Sequence, residues 1–297
     1  MPLLMPLMWG AITLALALAV PGAQAQDVVA WDSAWGGGDS SLVPPGLTGI
    51  SQLSAGYDHV VALRSNGTVV CWGNNGSGQC TPPQGLDSVT QVVAGPFASY
   101  AIKTDGTIVT WGADNFFYWD HTLKVKQLAA AEYHALYITA DGQARHRSGW
   151  DPAIPDQGGA RQVAVGFVLG VVLKADSTVL VWEHNSWLGW IIKANPPGLG
   201  SVVQVAAPPQ GYHVVALRND GTVAAWSEND DRQCDVPVGL TGITQVAAGR
   251  GSSMALRSDG TVAGWGTQWK APPSGLSGVT QIVASQSAVV ALSLIHI

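Results

Sequence analysis

The sequence predicts an all-β protein that folds as a seven-bladed β-propeller. Three observations support this prediction. A motif of the form DGTVVAWG recurs along the chain at spacings of 35 to 44 residues, and a second motif, VxQVAAGxxHxxAL, precedes it. The two ends of the chain each hold part of one further unit, so that together they complete a seventh copy. Repeats of this length that consist of short strands are typical of propeller blades.

The first motif is marked by a tryptophan that recurs once per unit. Three copies read NGTVVCWG, DGTIVTWG and DGTVAGWG and begin at Asn66, Asp105 and Asp259, whereas the copy DGQARHRS has arginine in place of tryptophan. The equivalent positions are Trp31, Trp72, Trp111, Arg147, Trp182, Trp226 and Trp265. Because their place in the repeat explains these tryptophans, we expect them to pack between blades.

Each unit contains three runs of β-forming residues, which we name the first strand (TQVAAG), the second strand (VVAL) and the third strand (TVVAW). We expect each unit to form a four-stranded blade. An Asp-Gly or Asn-Gly pair between the second and third strands predicts a type I′ hairpin turn. Ser177 replaces that glycine in the fourth unit, which predicts a strained turn or a turn of another type.

The incomplete units at the two ends predict how the ring closes. The last unit, VTQIVASQSAVVALS, lacks a third strand, and the first unit consists only of DVVAW. Pairing of Val28–Trp31 with Val289–Ser293 would close the propeller and remove its open sheet edges. We therefore expect one domain over residues 26–293. Residues 294–297 depart from the repeat and are interpreted as a non-native tail.

The first 25 residues are interpreted as a signal peptide. An apolar stretch from Leu7 to Val20 precedes Ala23-Gln24-Ala25, which fits the small-x-small cleavage pattern. No Lys or Arg precedes the apolar stretch, and an uncleaved membrane anchor is the alternative. We expect a secreted, periplasmic or cell-surface protein with no membrane span in the mature chain.

The composition excludes several classes of protein. Charged residues make up 11% of the chain, the net charge is −6, and only 14 Lys and Arg are spread over 297 residues. A nucleic-acid-binding surface needs clustered basic residues, so nucleic acid is excluded as a partner. Abundant aromatic and β-branched residues exclude disorder. We expect a monomer.

The repeats resemble those of the regulator-of-chromosome-condensation family. The clearest copy is CWGNNGSGQCTPPQGL, residues 71–86, and the resemblance covers essentially all of 28–293. It implies a seven-bladed propeller. In layout the chain is similar to the secreted bacterial propellers that inhibit β-lactamases, because residues 265–279 look like their shortened last linker. This similarity implies a protein partner, with a secreted or periplasmic hydrolase as the candidate.

Aromatic residues are unevenly shared between the two expected faces of the propeller. The first and third strands run the same way, so the turn between the first and second strands (the first turn) and the loop after the third strand open on one face. The Asp-Gly turns (the second turns) open on the other face and carry no aromatic residue. Tyrosine and tryptophan dominate interface energetics. The predicted partner-binding residues are Trp35, Tyr57, Phe97, Phe116, Phe117, Tyr118, Trp119, Tyr133, Trp150, Phe167, Trp187, Trp190, Tyr212 and Trp269.

Other residues that could carry chemistry are explained by the repeat. His59, His134 and His213 share one repeat position in different blades, which favours structural hydrogen bonding over a shared metal. The aspartates of the second turns are turn formers. We predict no catalytic residue, no metal and no cofactor, because no HExxH, GxSxG, Walker or dinucleotide motif occurs.

The three cysteines are Cys71, Cys80 and Cys234. Cys80 and Cys234 occupy the same position in different units and are expected to lie too far apart for a bond. Cys71 could reach Cys80 only if the linker between them folds back. We therefore expect no essential disulfide.

The favoured function is non-catalytic binding of a protein partner through the aromatic face, with inhibition of a β-lactamase-type hydrolase as one version. A polysaccharide-binding or polysaccharide-cleaving enzyme is the first alternative, and it would use Asp58, Asp114, Glu132 or Glu183 as carboxylates. The second alternative is the repeat portion of a larger cell-surface protein.

Overall fold

The structure is a computed structural model that describes residues 27–32, 42–113, 122–148, 158–185, 189–286 and 288–294. These residues form antiparallel strands in seven sheets, and there is no helix among them. None of the described segments is therefore a helix long and apolar enough to cross a lipid bilayer. The predicted all-β class and the seven blades are confirmed. The expected signal peptide lies outside the described residues, as do residues 295–297 of the expected tail.

Every blade is built from strands that follow one another in the sequence, except for the blade that joins the two ends of the chain. Blade 1 comprises β2 (Ile50–Ala55), β3 (His59–Arg64) and β4 (Val69–Gly73); blade 2, β5 (Val89–Ala94), β6 (Ala98–Lys103) and β7 (Ile108–Gly112); blade 3, β8 (Val125–Ala130), β9 (His134–Thr139) and β10 (Ala144–Ser148). Blade 4 comprises β11 (Ala160–Val165), β12 (Leu169–Lys174), β13 (Val179–Asn185) and β14 (Gly189–Lys193); blade 5, β15 (Val202–Ala206), β16 (His213–Arg218) and β17 (Val223–Ser227). Blade 6 comprises β18 (Ile243–Gly249), β19 (Ser252–Arg257) and β20 (Val262–Trp265); blade 7, β21 (Val279–Ala284), β22 (Ala288–Ser293) and β1 (Asp27–Asp32).

The two ends of the chain pair as the repeat predicts. β1 runs antiparallel to β22, with Val28 opposite Leu292 and Trp31 opposite Val289. The N-terminal strand thus serves as the third strand of blade 7 and covers the edge that β22 would otherwise expose.

The expectation of four strands in each blade is wrong for blades 1, 5 and 6, whose described linkers contain no further strand. Among the described residues a fourth strand occurs in blade 4, where β14 pairs with β13. In blade 1 the segment after the third strand contains Pro82 and Pro83, which cannot donate ladder hydrogen bonds, and it forms turns instead. Blade 4 has additional residues before its own proline pair, and these residues supply β14.

The second turns are not of type I′. In blade 1 Gly67 donates to the Arg64 carbonyl at 2.9 Å and has φ of +83°, but Asn66 is not in the left-handed region. This is the pattern of a type I turn followed by one left-handed residue. The Asn66 side chain accepts a hydrogen bond from the backbone N–H of Thr68 at 3.1 Å, as Asp and Asn commonly do in turns. Ser177 takes the glycine position with φ of +68°, so its turn is of the same type as the others. The strain predicted from the sequence is that of a serine in the left-handed region.

Glutamines in the first strands hydrogen-bond to the first strand of the next blade. Those that do so are Gln52, Gln127, Gln162, Gln204, Gln245 and Gln281. The Gln52 side chain accepts a hydrogen bond from the Val92 N–H at 3.0 Å and donates one to the Val92 carbonyl at 3.3 Å. Its amide group thus bonds the backbone of Val92 as a residue of a paired strand would. Gln281 makes the same pair of bonds with Leu53 and ties blade 7 to blade 1. The sheets also pack face to face, with Val290 and Leu292 of blade 7 in one cluster with Leu53 of blade 1. The ring is therefore closed by strand pairing, by amide bonds and by apolar packing.

The linker that follows blade 1 carries a disulfide, so the expectation of none is wrong for Cys71 and Cys80. Their Cα atoms lie 5.0 Å apart. The linker folds back because Asn75 accepts a hydrogen bond from the Cys80 N–H at 2.8 Å and Asn74 accepts one from the Gly76 N–H at 2.8 Å. Cys234 is a free thiol. Burial, and then the charges of Asp235 and Glu228, raise its pKa to about 12.

Candidate aromatic interface at the channel mouth

The first strands of all seven blades line a central channel with a cavity of about 210 Å³. Each first strand presents its glutamine and small apolar residues to this channel. The seven glutamines are Gln52, Gln91, Gln127, Gln162, Gln204, Gln245 and Gln281. Because the first turns follow directly after the first strands, their side chains lie at one mouth of the channel.

Five predicted binding residues in the first turns lie at this mouth, and we call them the aromatic arc. Tyr57 stacks on Phe97 with ring centres 5.8 Å apart. Phe167 contacts Tyr133 and Tyr212, with ring centres 5.5 Å apart in both pairs. Separations of this size are favourable for aromatic pairs. The five rings come from blades 1 to 5 in order, as a pair from blades 1 and 2 and a group of three from blades 3 to 5.

The arc remains accessible although its rings touch one another. Phe97 is 42% exposed and Tyr212 is 38% exposed, whereas the other three rings are half-buried. Both residues are among the few large apolar side chains that the described part of the chain exposes to this degree. An exposed ring that is held by a second ring loses little side-chain entropy on binding, which favours its use in an interface.

Close approach of neighbouring turns explains the glycines that precede two of the rings. A Cβ on Gly56 would lie 2.2 Å from the Gly95 carbonyl oxygen, and a Cβ on Gly166 would lie 2.7 Å from the Gly211 carbonyl oxygen. The N–H of Phe167 donates to that same Gly211 carbonyl at 2.9 Å. The backbone of the mouth is therefore packed tightly and holds the rings at fixed positions.

The loops after the third strands open on the same face as the first turns, as the sequence predicts. The Asn74 N–H donates to the Asp58 carbonyl at 2.7 Å, and the Glu228 N–H donates to the Tyr212 carbonyl at 3.2 Å. The second turns lie at the other end of the blades, where the Gly106 carbonyl accepts from the N–H of Val125 in the next first strand at 2.8 Å.

Two acidic residues, Glu132 and Glu228, lie next to the part of the arc that is formed by blades 3 to 5. The Tyr133 hydroxyl donates a hydrogen bond to the Glu132 carboxylate, and this bond raises the pKa of Tyr133. Burial, then the charges of Glu228 and Glu132, raise the pKa of Tyr212, while Arg250 opposes them. The charges of both carboxylates therefore act on Tyr212.

Two predicted binding residues lie away from the arc. Trp190 is half-buried on β14 and contacts His134, His146 and His184, with ring centres 4.9, 4.5 and 5.3 Å away. Trp269 contacts Trp31 edge-on with ring centres 6.4 Å apart. It also covers Gly264, where a Cβ would come within 2.3 Å of the indole. Both tryptophans fill space against their own blades or the neighbouring blade, and the structure does not bring them to the channel mouth.

The remaining seven predicted binding residues lie outside the described residues. They are Trp35, Phe116, Phe117, Tyr118, Trp119, Trp150 and Trp187. Their participation in binding stays a prediction.

The repeated histidines are buried, and each makes a hydrogen bond. Nε2 of His59 lies 2.9 Å from the Ser99 hydroxyl, and Nε2 of His213 lies 3.0 Å from the Ser253 hydroxyl. His134 instead bonds the Gly166 carbonyl at 2.9 Å. Burial lowers the pKa of all three to about 4. Across the described residues no group of three or more His, Cys, Asp or Glu side chains is arranged to hold a metal ion.

The carboxylates that an enzyme would use are not assembled into one site. Asp58 and Glu132 lie in the first turns of blades 1 and 3, and Glu183 on β13 forms an ion pair with Lys193 on β14. Asp114 lies outside the described residues.

Sequence reasoning missed three features near the site. The bridging glutamines were visible as the Q of TQVAAG in every unit, and their recurrence was the signal that could have revealed them. The fold-back of the Cys71–Cys80 linker depends on two asparagines, and no general rule assigns them that role. The proximity of Glu132 and Glu228 to one ring depends on which blades are adjacent to Tyr212, so it needs the three-dimensional structure.

Comparison with known proteins agrees with this architecture. Residues 50–79 and 243–268 match the family model of the regulator of chromosome condensation (RCC1) repeat. A comparison of the sequence with curated proteins finds no match.

Several solved structures are similar to the chain in fold. Prp20p from Saccharomyces cerevisiae, described with its binding to Gsp1p and histones, is 16% identical with a TM-score of 0.67, over 91% of each chain. Human WBSCR16 is 16% identical with a TM-score of 0.67, over 90% of this chain and 99% of that chain. The ectodomain of the receptor kinase ACR4 from Arabidopsis thaliana is 16% identical with a TM-score of 0.65, over 86% and 89%.

Proposed function

We propose that this RCC1-like seven-bladed propeller is an exported, non-catalytic protein that binds a protein partner through the aromatic arc. The observation that carries the proposal is that five successive blades each present a ring at one mouth of the channel, where the rings form a stacked pair and a group of three. Packing between blades does not require aromatic residues in the first turns, because blades 6 and 7 have Arg250 and Gln286 there in place of an aromatic residue.

The chemistry of the arc suits a protein surface. Tyrosine and phenylalanine supply a large contact area on few rotatable bonds, and such residues are enriched in interface hot spots. Clusters of rings fixed by neighbouring rings and by tight backbone contacts are already in their binding arrangement, which lowers the entropic cost of association. The likeness to other RCC1-like propellers supports protein binding as the general activity.

The specific version of the proposal is inhibition of a secreted hydrolase of the β-lactamase type. An arc across the channel mouth would cover part of the enzyme surface and block access to its active site. The test is inhibition of a panel of class A β-lactamases by the purified chain beginning at Gln26, with a chromogenic substrate. Inhibition at nanomolar concentration supports this version, and no inhibition at micromolar concentration removes it.

Variants show whether the arc is the contact surface. For any partner that binds, Phe97→Ala and Tyr212→Ala are each expected to weaken binding by about 2 kcal/mol, the size of a hot-spot effect. Val238→Ala is the matched control, because Val238 is fully exposed in the linker after blade 5 and its truncation also removes apolar surface. If both arc variants bind as tightly as the control, the arc is not the interface.

Export is part of the proposal and is tested separately. The full chain is expressed in a bacterial host, and the periplasmic and external fractions are analysed by mass spectrometry. A mature N-terminus at Gln26 supports export and cleavage after Ala25. Retention of the complete chain in the cytoplasm contradicts both.

A further inference from the structure

We propose that the aromatic arc, together with Glu132 and Glu228, binds a basic side chain, so that the partner presents an arginine or lysine on a protruding loop. This inference rests on the proposed function and deepens it by naming the chemistry of the partner.

The rings and carboxylates are combined at one place. Phe167 touches both Tyr133 and Tyr212. Glu132 is joined to the Tyr133 hydroxyl, and Glu228 follows Tyr212 through the hydrogen bond from its N–H to the Tyr212 carbonyl at 3.2 Å. A cation bound at these rings would therefore lie beside the residues that carry two carboxylates. Ring faces and carboxylates are the two kinds of group that attract guanidinium and ammonium ions in proteins.

The face that carries the arc has an excess of acidic groups. In the described first turns, and in those parts of the loops after third strands that lie on this face, the acidic residues are Asp58, Glu132, Glu228, Asp230, Asp231 and Asp235, and the basic residues are Arg232, Arg250 and Lys270. The charges of Asp230 and Asp231, after burial, raise the pKa of Glu228, which shows that Glu228 lies in a locally negative environment despite the opposing effect of Arg250.

On the opposite face two carboxylates form ion pairs with lysines. Asp87 is paired with Lys103 at 3.0 Å, and Asp105 is paired with Lys124 at 3.1 Å. A basic partner would therefore be drawn to the arc face in preference to the second-turn face.

The test uses two disulfide-cyclised peptides that differ in charge alone. One presents Arg-Tyr-Arg at its turn, and the other presents citrulline in place of both arginines, which keeps the shape and removes the charge. Binding of each fluorescein-labelled peptide to the chain beginning at Gln26 is followed by fluorescence polarisation at low and high salt. We expect the arginine peptide to bind at least about tenfold more tightly, and high salt to reduce this difference.

Variants locate the effect. Glu132→Gln and Glu228→Gln are each expected to weaken binding of the arginine peptide about threefold or more. Neither change is expected to alter binding of the citrulline peptide. Asp87→Asn removes one negative charge from the other face and is the matched control, with no change expected. Phe167→Leu keeps an apolar side chain and removes the π face, so it is expected to weaken the arginine peptide more than the citrulline peptide.

The outcomes separate this inference from the proposed function. If both peptides bind equally and Phe97→Ala weakens both, the arc binds partners without selecting charge, and only the present inference is overturned. If the arginine peptide does not bind, or if Asp87→Asn weakens it as much as Glu132→Gln does, the inference is also overturned. If the arginine peptide is preferred but no arc variant changes its binding, both the inference and the arc as the interface are overturned.

Discussion

The junctions between blades 1 and 2 and between blades 5 and 6 contain the same buried hydrogen-bond network, whereas the junction between blades 3 and 4 has a different set of contacts. Where blade 1 meets blade 2, the Ser99 hydroxyl lies between the His59 ring and the Gln79 carbonyl, which also accepts from the Trp111 indole at 2.8 Å. Where blade 5 meets blade 6, His213, Ser253, Gln233 and Trp265 repeat this arrangement, with the same indole distance of 2.8 Å.

The junction between blades 3 and 4 has lost parts of that arrangement. Gly170 stands at the position of the bridging serine, opposite Trp182, which keeps the position of the repeat tryptophan. His146 contacts Trp190 from the additional strand β14, and both rings contact His134. The arc includes a ring pair from each kind of junction, because Tyr57 and Phe97 belong to blades 1 and 2 and Tyr133 and Phe167 to blades 3 and 4.

Of the changes considered, acidification is expected to reduce the free energy of unfolding most. We expect it to act strongly at the junction between blades 3 and 4, which is the irregular junction. Burial lowers the pKa of His146 to about 3, with further lowering from His134 and His184, and lowers the pKa of His134 to about 4. A histidine whose pKa is lower in the folded state stabilises the fold above its unfolded pKa of about 6.5, and this stability is lost as the pH falls. At pH 4 each such histidine has lowered the free energy of unfolding by up to about 3 kcal/mol.

The measurement is the free energy of unfolding in denaturant from pH 7 to pH 4, followed for the wild type and for His146→Leu. The wild type is expected to lose most of its stability over this range, since domains have only about 5–15 kcal/mol to lose. The His146→Leu variant is expected to lose less. Equal slopes for the two proteins would show that His146 does not carry the acid sensitivity.

The bridging glutamines allow a matched comparison of a regular and an irregular part of the ring. Gln52→Leu breaks the bonds to Val92 between blades 1 and 2, and Gln162→Leu breaks the bonds to Val205 between blades 4 and 5, which measure 2.5 and 2.7 Å. Each change leaves a backbone N–H and a carbonyl without a partner. We expect a loss of about 2–3 kcal/mol in each case.

Urea denaturation with a common m-value measures the two losses. Similar values would show that the amide bridges contribute equally around the ring, whatever the blade sequence. A much smaller loss for Gln162→Leu would show that β14 and its packing compensate for the bridge in that region.

The repeat predicts the fold well and the site in part, for a physical reason. Strand positions, the closing pair and the buried histidines depend on contacts that recur in each unit, so a repeated motif reveals them. Phe97 and Tyr212 could be assigned to the correct face because strand direction alone determines it. Trp190 could not be placed, since β14 has no counterpart among the described strands of the other blades and its packing on His146 depends on that strand.

One position on the third strand distinguishes blade 1, which has a disulfide to its linker, from blade 5, which has none. Cys234 and Cys80 occupy equivalent turns, in which each N–H donates to an asparagine side chain at 2.7 and 2.8 Å, but Ala225 stands where blade 1 has Cys71. Under oxidising conditions Ala225→Cys is expected to form a second disulfide and to stabilise the fold by about 2–3 kcal/mol.

Cys80→Ser is the reciprocal change and is expected to destabilise the fold by about the same amount. Thiol titration and denaturation of both variants, with and without reductant, provide the measurement. A free thiol pair in Ala225→Cys would show that the blade 5 linker does not fold back as closely as the blade 1 linker.

The smallest expected effect comes from the second turns of blades 3 and 4, where the same position holds different residues. Ser177 has φ of +68° and Gly142 has φ of +83°, with nothing within 4 Å of a Cβ built on Gly142. Ser177→Gly relieves a left-handed serine and is expected to stabilise the fold by up to about 1 kcal/mol, while Gly142→Ser is expected to destabilise it similarly. Because no steric contact contributes at Gly142, opposite shifts in thermal midpoint would isolate backbone strain as the cause. If Ser177→Gly lowers the midpoint instead, the serine side chain stabilises its turn by more than the strain costs, and this departure from the repeat is a local adaptation of blade 4.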